Sequence, residues 1–139
     1  PYDYSPFDWF SMIVRAPFGV NYIKGTKFLV IEMGIDDPYP PKNMEYLLSV
    51  VQPQIGIITY ESAAHTMQFA KAVANKQFSD DQNRHDALVD AITREDLKLL
   101  TNPNCQIGII NADNPPLVAA ARYLDTTKRK IYTFGTLAP

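Results

Sequence analysis

The chain has 139 residues, of which 46% are hydrophobic and 20% are charged, and this length predicts one domain, residues 1–139, with a hydrophobic core. The formal net charge of −2 gives no basic footprint and so does not favour a nucleic-acid partner, and a single cysteine excludes an internal disulfide. No apolar run reaches the roughly 20 residues that span a bilayer. We therefore expect a cytoplasmic protein with neither a nucleic-acid partner nor a membrane span.

Apolar periodicity and turn residues predict helices that alternate with short strands. In chain order these are a helix over 7–14, a strand over 28–32, a helix over 43–51, a strand over 54–59, helices over 62–76 and 86–100, a strand over 106–110, a helix over 117–124 and a strand over 130–134. Alternation of this kind favours right-handed crossovers between parallel strands. It predicts an α/β fold with a mostly parallel sheet and helices on both faces.

The strand predicted over 28–32 is informative because it ends at a carboxylate. Its apolar residues lead directly to Glu32, and His65 follows six residues after the strand over 54–59. Ligands bind at the carboxyl ends of strands in open α/β sheets, so Glu32 and His65 are candidate ligands for a metal ion. Mg²⁺ suits such a pair because it keeps several waters and takes other ligands from substrate phosphates. The alternative is that Glu32 caps a helix and His65 makes a local hydrogen bond.

A polar cluster follows the strand predicted over 106–110. Asn111 and Asp113 carry an amide and a carboxylate that can hydrogen-bond the base or ribose of a nucleotide. The alternative is an Asx turn that leads into the helix beginning near Pro116. Local chemistry leaves both interpretations open.

Several segments follow one another in a defined order: residues 30–36, 44–47 and 51–59, then Ala64-His65, then Asn111-Ala112-Asp113. Together they resemble the central ATPase domain of the Mur ligases. The resemblance is closest to the type that joins D-alanyl-D-alanine to the UDP-N-acetylmuramoyl tripeptide. It extends over about residues 7–135, nearly the whole chain.

The resemblance implies a P-loop NTPase-like fold and an ATP-dependent amide ligase of peptidoglycan precursor synthesis, and hence of cell-wall biogenesis and cell shape. Members of this family transfer the γ-phosphate of ATP to a substrate carboxylate, and an incoming amine displaces phosphate from the acyl phosphate. By resemblance, Glu32 and His65 hold Mg²⁺, and Asn111 and Asp113 lie close to the ATP nucleotide. The implied substrates are a UDP-linked muramoyl peptide and an amino acid or dipeptide.

The chain departs from the family pattern at three places. The family's phosphate loop would precede residue 1, so we expect a fragment that lacks the flanking ligase domains and is weakly active or inactive alone. The family's catalytic lysine, which becomes carbamylated, aligns with Asp96, whose carboxylate can imitate a carbamate. Lys98, two residues later, is the alternative catalytic candidate. Tyr60 stands where the family has Asn.

Two other functions stay open at this point. Tyr60 and Asp96 favour a non-catalytic, ligase-like module that serves as a scaffold or partner. A metal-dependent α/β hydrolase would also use Glu32 and His65, and it would take Asp36 or Asp113 as a further ligand.

Overall fold

The computed structural model of the chain describes residues 5, 7, 10, 11, 14, 15, 18, 19, 23–59 and 69–136. The chain divides into two compact units, Pro1–Glu32 and Met33–Pro139. We describe each unit by itself, and the prediction of one domain over residues 1–139 stays a prediction. In the first unit, residues 7, 10, 11 and 14 are helical, which agrees at those positions with the helix predicted over 7–14. Residues 15, 18, 19 and 23, beyond the predicted end, are helical as well.

The segment 28–32 corrects the prediction of a buried strand. Its residues belong to no strand, and Phe28, Leu29 and Val30 are largely exposed. Apolar and β-branched residues favour a pleated, half-buried surface, but a strand forms only where a neighbour takes its backbone hydrogen bonds. Residue content therefore predicted a strand that the described neighbours of this segment do not provide.

The second unit contains alternating helices and strands. In chain order they are α1 (Met44–Val50), β1 (Ile55–Ile58), a 3₁₀ turn (Ala70–Val73), α2 (Asp81–Thr101), β2 (Ile107–Asn111), α3 (Pro115–Ala121) and β3 (Lys130–Phe134). The strands predicted over 54–59, 106–110 and 130–134 are confirmed, as are the helices predicted over 43–51 and 117–124, with small shifts at their ends. For the helix predicted over 62–76, residues 62–68 lie outside the described residues, and the part that is described holds the 3₁₀ turn.

The helix α2 begins at Asp81 rather than at residue 86 because the polar segment before it is a helix cap. The Asn83 N–H donates to Asp80 Oδ1 at 2.7 Å, so Asp80 is the N-cap residue. The hydrogen bond from Asn83 lowers the pKa of the Asp80 carboxyl, and the Ser79 hydroxyl adds to this effect. The polar residues that precede residue 86 therefore form the start of the helix.

The strands form a parallel sheet in the order β1-β2-β3. Gly56 of β1 pairs with Gly108 of β2, which pairs in turn with Ile131 of β3. A Cβ atom on Gly56 would lie 2.8 Å from Leu100 Cδ2, and one on Gly108 would lie 3.3 Å from the same atom. Because Leu100 is fully buried, the two glycines let α2 approach the sheet closely.

Among the described residues, α2 and α3 share one face of the sheet, and the prediction of helices on both faces stays a prediction. α2 packs on β1, α3 packs on β2, and the two helices contact each other. Their apolar residues form one core with Ile58 and Ile110, whereas Ile57 and Tyr132 on the other face are exposed. Strand order explains this, because right-handed crossovers that step from β1 to β2 to β3 place both helices on the same side.

Replacing Gly56 with Val should destabilise the second unit. The new side chain would overlap Leu100 and Leu99 in a filled core, so we expect the free energy of unfolding to fall by about 1–3 kcal/mol in urea denaturation. Gly34→Val is the matched control, because a Cβ atom at Gly34 meets no atom within 4 Å. Equal stability of the two variants would contradict the close approach of α2.

Removing the charge of the Asp80 cap should reduce the loss of stability in acid. The pKa of Asp80 is lowered from its ordinary value of 3.8, so its stabilising effect is present above that pH and is lost as the pH falls through the lowered pKa. Asp80→Asn keeps a capping acceptor that does not titrate. We therefore expect its melting temperature to fall less than that of the parent between about pH 5 and about pH 2.

Asp81→Asn is the control for this experiment, since the capping bond from Asn83 goes to Asp80. Thermal unfolding followed by circular dichroism at each pH gives the comparison. The same pH dependence in the parent and in Asp80→Asn would show that the cap does not act as described.

Candidate functional site

The carboxyl ends of β1 and β2 are joined by a side chain. Asn111 ends β2, and its Nδ2 donates to the carbonyl oxygen of Thr59, directly after β1, at 2.8 Å. Its Oδ1 accepts from the Asp113 N–H at 2.9 Å. This second bond is the Asx turn that was one interpretation of the cluster. Asn111 therefore fixes the geometry of the sheet edge at which ligands bind in open α/β folds.

Asp113 extends this edge to the end of β3. Its Oδ2 accepts from the Thr136 N–H at 2.7 Å and from the Thr136 hydroxyl at 2.8 Å. Gly135 permits the contact, because a Cβ atom there would lie 2.7 Å from Asp113 Oδ1. Asn114 then caps α3 by accepting from the Leu117 N–H at 3.2 Å. The ends of the three described strands thus meet in one polar rim, formed by Thr59, Asn111, Asp113 and Thr136.

The two catalytic candidates lie on α2. Asp96 is half-buried and Lys98 follows two residues later. Residues two positions apart on a helix do not face the same side, so the two side chains cannot serve one site together. α2 ends at Thr101 and leads to the start of β2, whereas Asn111 ends that strand. The described contacts do not bring Lys98 to the polar rim.

Lys98 instead takes part in a cluster that joins α1 to α2. Its Nζ lies 2.7 Å from Glu95 Oε2 and 3.8 Å from Glu45 Oε2. Glu95 is buried, and its Oε1 accepts from the Met44 N–H at the first position of α1, at 2.9 Å. A buried carboxylate with a cation and a helix amide around it is well satisfied. The ion pair gives Lys98 a described structural role, and its catalytic role stays a prediction.

Glu95 was missed in the sequence, although a signal for it exists. Leu88, Ile92 and Leu99 recur at helical spacing along one face of the helix, and Glu95 occupies the same face between them. A carboxylate on an apolar stripe, three residues before a lysine, is typical of a buried group that has partners.

An exposed ion pair anchors the loop that follows Gly34. Lys71 Nζ donates to Asp37 Oδ2 at 2.8 Å, and the Tyr39 N–H donates to Asp37 Oδ1 at 3.0 Å. The hydrogen bond from Lys71 lowers the pKa of the Asp37 carboxyl, and the same bond raises the pKa of Lys71. The pair therefore ties this loop to the 3₁₀ turn. Because Asp37 and Lys71 lie 34 residues apart, the sequence alone does not predict this ion pair.

The predicted metal ligands are not brought together in the described part of the chain. Glu32 is exposed and ends the first unit, and His65 and Tyr60 lie outside the described residues. Among the residues that the structure describes, no group of three or more His, Cys, Asp and Glu side chains is placed to hold a metal ion. The Mg²⁺ site stays a prediction.

A crevice of about 710 Å³ lies between the 3₁₀ turn and the start of α2. Its charged lining comprises Lys71, Lys76 and Arg84 together with Asp80 and Asp81. Lys71 and Asp80 already have the partners described above. The crevice is therefore a second polar surface, and none of Asp96, Lys98, Asn111 and Asp113 lines it.

Comparison with protein-family models, curated proteins and solved structures finds no match for this chain. Within the described ranges, no helix is both long and apolar enough to cross a bilayer. Function is therefore inferred from the residues and their geometry.

Replacing Glu95 with Ala should loosen α1 from α2. The change leaves the Met44 N–H without its acceptor, so we expect the free energy of unfolding to fall by about 1–3 kcal/mol in urea denaturation. Glu95→Gln keeps an acceptor for that N–H, and we expect it to lose less. Glu45→Ala is the control, since this exposed side chain lies 3.8 Å from Lys98 and should cost less than about 0.5 kcal/mol. A loss for Glu95→Ala no larger than that of the control would contradict the role of Glu95.

Proposed function

We propose that the chain supplies the central domain of an ATP-dependent amide ligase of the Mur type, which acts in peptidoglycan precursor synthesis. One observation supports this more than any other: the hydrogen bond between Asn111 and Thr59. It joins two of the segments that resemble the family, residues 51–59 and Asn111-Ala112-Asp113, at the carboxyl edge of a parallel sheet. That edge is the usual ligand position in folds of this class, including the P-loop NTPase-like fold that the proposal assumes.

In this proposal the polar rim binds the nucleotide of ATP. Asn111 and Asp113 offer amide and carboxylate groups of the kind that bind a base or ribose, and their hydrogen bonds to Thr59 and Thr136 hold them in place before ATP arrives. Glu32 and His65 are assigned to Mg²⁺, and carboxylate oxygen and imidazole nitrogen are suitable donors. ATP supplies the phosphoryl group that activates a substrate carboxylate. Charge neutralisation around that group is the main requirement of such chemistry.

The remaining parts of the reaction are assigned by the same resemblance. A UDP-linked muramoyl peptide supplies the carboxylate, and an amino acid or dipeptide supplies the amine. Asp96 takes the position of the carbamylated lysine, with Lys98 as the alternative. Flanking ligase domains complete the substrate sites, so the chain alone is a weak catalyst at most.

A non-catalytic, ligase-like scaffold is the second candidate. Both side-chain heteroatoms of Asn111 and the Oδ2 of Asp113 make hydrogen bonds within the chain. Saturated polar groups of this kind also suit an edge whose purpose is structural. The two functions differ in whether the rim binds a nucleotide.

Titration of the isotope-labelled chain with Mg²⁺-ATP, followed by backbone amide NMR shifts, tests the proposal. We expect weak binding, with a Kd of about 1 mM or higher, because the chain lacks a phosphate loop. The amides of Thr59, Ala112 and Asp113 should shift more than those of Cys105 and Gln106 at the opposite end of the sheet. No shift up to about 10 mM, or shifts confined to other surfaces, would contradict nucleotide binding at the rim and favour the scaffold.

Asn111→Ala removes the side chain that joins β1 to β2, and we expect it to abolish the shifts at the rim. Asn104→Ala is the matched control, because Asn104 lies in the turn before β2, away from the carboxyl edge. Equal amide shifts in the two variants on titration with Mg²⁺-ATP would show that Asn111 is not part of the nucleotide site.

A further inference from the structure

Buried hydrogen-bond donors without acceptors lie at the end of the sheet opposite the polar rim. Among the described residues, three buried side-chain nitrogen atoms have no hydrogen-bond partner: Nδ2 of Asn102, and Nε and Nη1 of Arg129. Asn102 is 5% exposed as a whole, and Arg129 is half-buried. Because buried polar groups in proteins are almost always hydrogen-bonded, these three atoms need an explanation.

Both residues lie at the amino-terminal end of the sheet. Asn102 directly follows α2, and its carbonyl oxygen accepts from the Cys105 N–H at 2.9 Å. The next residue, Gln106, accepts from the Lys130 N–H at 2.9 Å, and Arg129 directly precedes Lys130. Two backbone hydrogen bonds therefore join the turn that carries Asn102 to the strand end that carries Arg129.

The face of the sheet on which Arg129 lies follows from its neighbours in β3. A Cβ atom on Gly108 would lie 2.8 Å from Ile131 Cδ1 and 3.3 Å from Leu100 Cδ2, so Ile131 is on the face that α2 covers. Arg129 is two residues before Ile131, and Lys130 between them is exposed. Because side chains two positions apart lie on the same side of a strand, we expect Arg129 on the face where α2 ends.

The surroundings of Arg129 are positively charged. The sequence reads Lys128-Arg129-Lys130. Of these three residues, only Lys128 has an ion pair within the described part of the chain, with Asp125 Oδ2 at 3.5 Å. A guanidinium is always charged and has N–H donors but no acceptor, and the unpaired Asn102 Nδ2 is a donor as well. The complementary group is therefore a negatively charged hydrogen-bond acceptor.

We propose that Arg129 and Asn102 form a binding site for an oxyanion. Arg129 supplies the charge and N–H donors, and Asn102 Nδ2 supplies a further donor. Phosphate and carboxylate groups share the required chemistry, because the oxygen atoms of both accept hydrogen bonds from a guanidinium. Since Arg129 is half-buried, an anion from solvent can reach it. Both residues belong to the second unit, and the site does not rest on the proposed function, which uses the other end of the sheet.

NMR of the isotope-labelled chain tests the site through the side-chain Nε–H of Arg129 and the Nδ2 amide of Asn102. Inorganic phosphate and acetate are the probes, and chloride at equal ionic strength is the reference. We expect both signals to shift together and to saturate, with a Kd of about 1 mM for the better probe. Tighter binding of phosphate would assign a phosphoryl group as the ligand, and tighter binding of acetate would assign a carboxylate.

The proposal is overturned if neither probe gives a saturable shift of these two signals up to about 50 mM. It is also overturned if the shifts are confined to the polar rim or to the crevice beside the 3₁₀ turn. No nucleotide is used, so failure of this site and failure of the proposed function are distinguishable.

Arg129→Gln removes the charge and should weaken binding of the better probe roughly tenfold or more. Arg122→Gln is the matched control, because Arg122 is exposed at the end of α3 and its replacement changes the net charge equally. The control should bind the anion as the parent does. Equal binding by the parent and Arg129→Gln, or an equal loss in both variants, would contradict the site.

Asn102→Asp provides a second test that keeps Arg129 in place. The change retains Oδ1, which accepts from the Asn104 N–H at 3.1 Å, and replaces the unpaired donor with a carboxylate oxygen. An aspartate at the end of a helix is otherwise unfavourable, so a gain in stability has to come from a new partner. If Arg129 is that partner, we expect the melting temperature without added anion to rise by about 2–4 °C and anion binding to weaken roughly tenfold.

Asn104→Asp is the control for this variant, because Asn104 is exposed in the same turn. It should neither raise the melting temperature nor weaken anion binding. An Asn102→Asp variant that is no more stable than Asn104→Asp and binds the anion as the parent does would overturn the proposal.

Discussion

The contact of Leu100 with Gly56 and Gly108 is the constraint on which the second unit depends. Neither glycine has a side chain to hold α2 away, so the helix lies close to two neighbouring strands and its apolar residues meet Ile58 and Ile110 in one core. Close packing of this kind transmits displacement, because a filled interior cannot absorb an added methyl group. The position of α2 therefore fixes the positions of the strands, and the strands fix the rim at their carboxyl ends.

The polar rim shows how structure and function can use the same groups. Asn111 joins β1 to β2, and Asp113 joins the loop after β2 to the chain after β3. These bonds span elements that are far apart in sequence, so they hold the edge in a single arrangement. Because this edge is already ordered, little further conformational entropy is lost when a ligand binds. The same bonds would equally stabilise an edge that binds nothing, which is why ligand binding separates the ligase proposal from the scaffold.

Local order was predictable from the sequence, whereas pairing was not. The strand over 130–134 and the helix near 43–51 follow from apolar runs between turn residues. The prediction of a strand over 28–32 was wrong because residue type does not specify a hydrogen-bonding neighbour. The placement of α2 and α3 on one face could not be predicted because no single segment specifies the order of the strands. The start of α2 was predicted five residues late because the cap formed by Asp80 was not recognised, although aspartate is a strong N-cap residue.

The residues of the candidate site were likewise predictable only in part. Asn111 and Asp113 were predicted at a strand end, and the structure places them there in one hydrogen-bonded rim. Glu95 was missed because its partners, the Met44 N–H and Lys98, come from another helix and from the next turn of its own. Lys98 lies only three residues from Glu95, but Met44 lies 51 residues away, so no window of neighbouring residues contains the contact that joins α1 to α2.

A crystal structure of the chain grown with Mg²⁺ and a non-hydrolysable ATP analogue would test the central claim most directly. We predict that the base or ribose of the analogue lies within hydrogen-bonding distance of Asn111 or Asp113, at the carboxyl ends of β1 and β2. A nucleotide bound instead in the crevice lined by Lys71, Lys76 and Arg84, or crystals that contain none, would contradict the assignment of the polar rim as the nucleotide site.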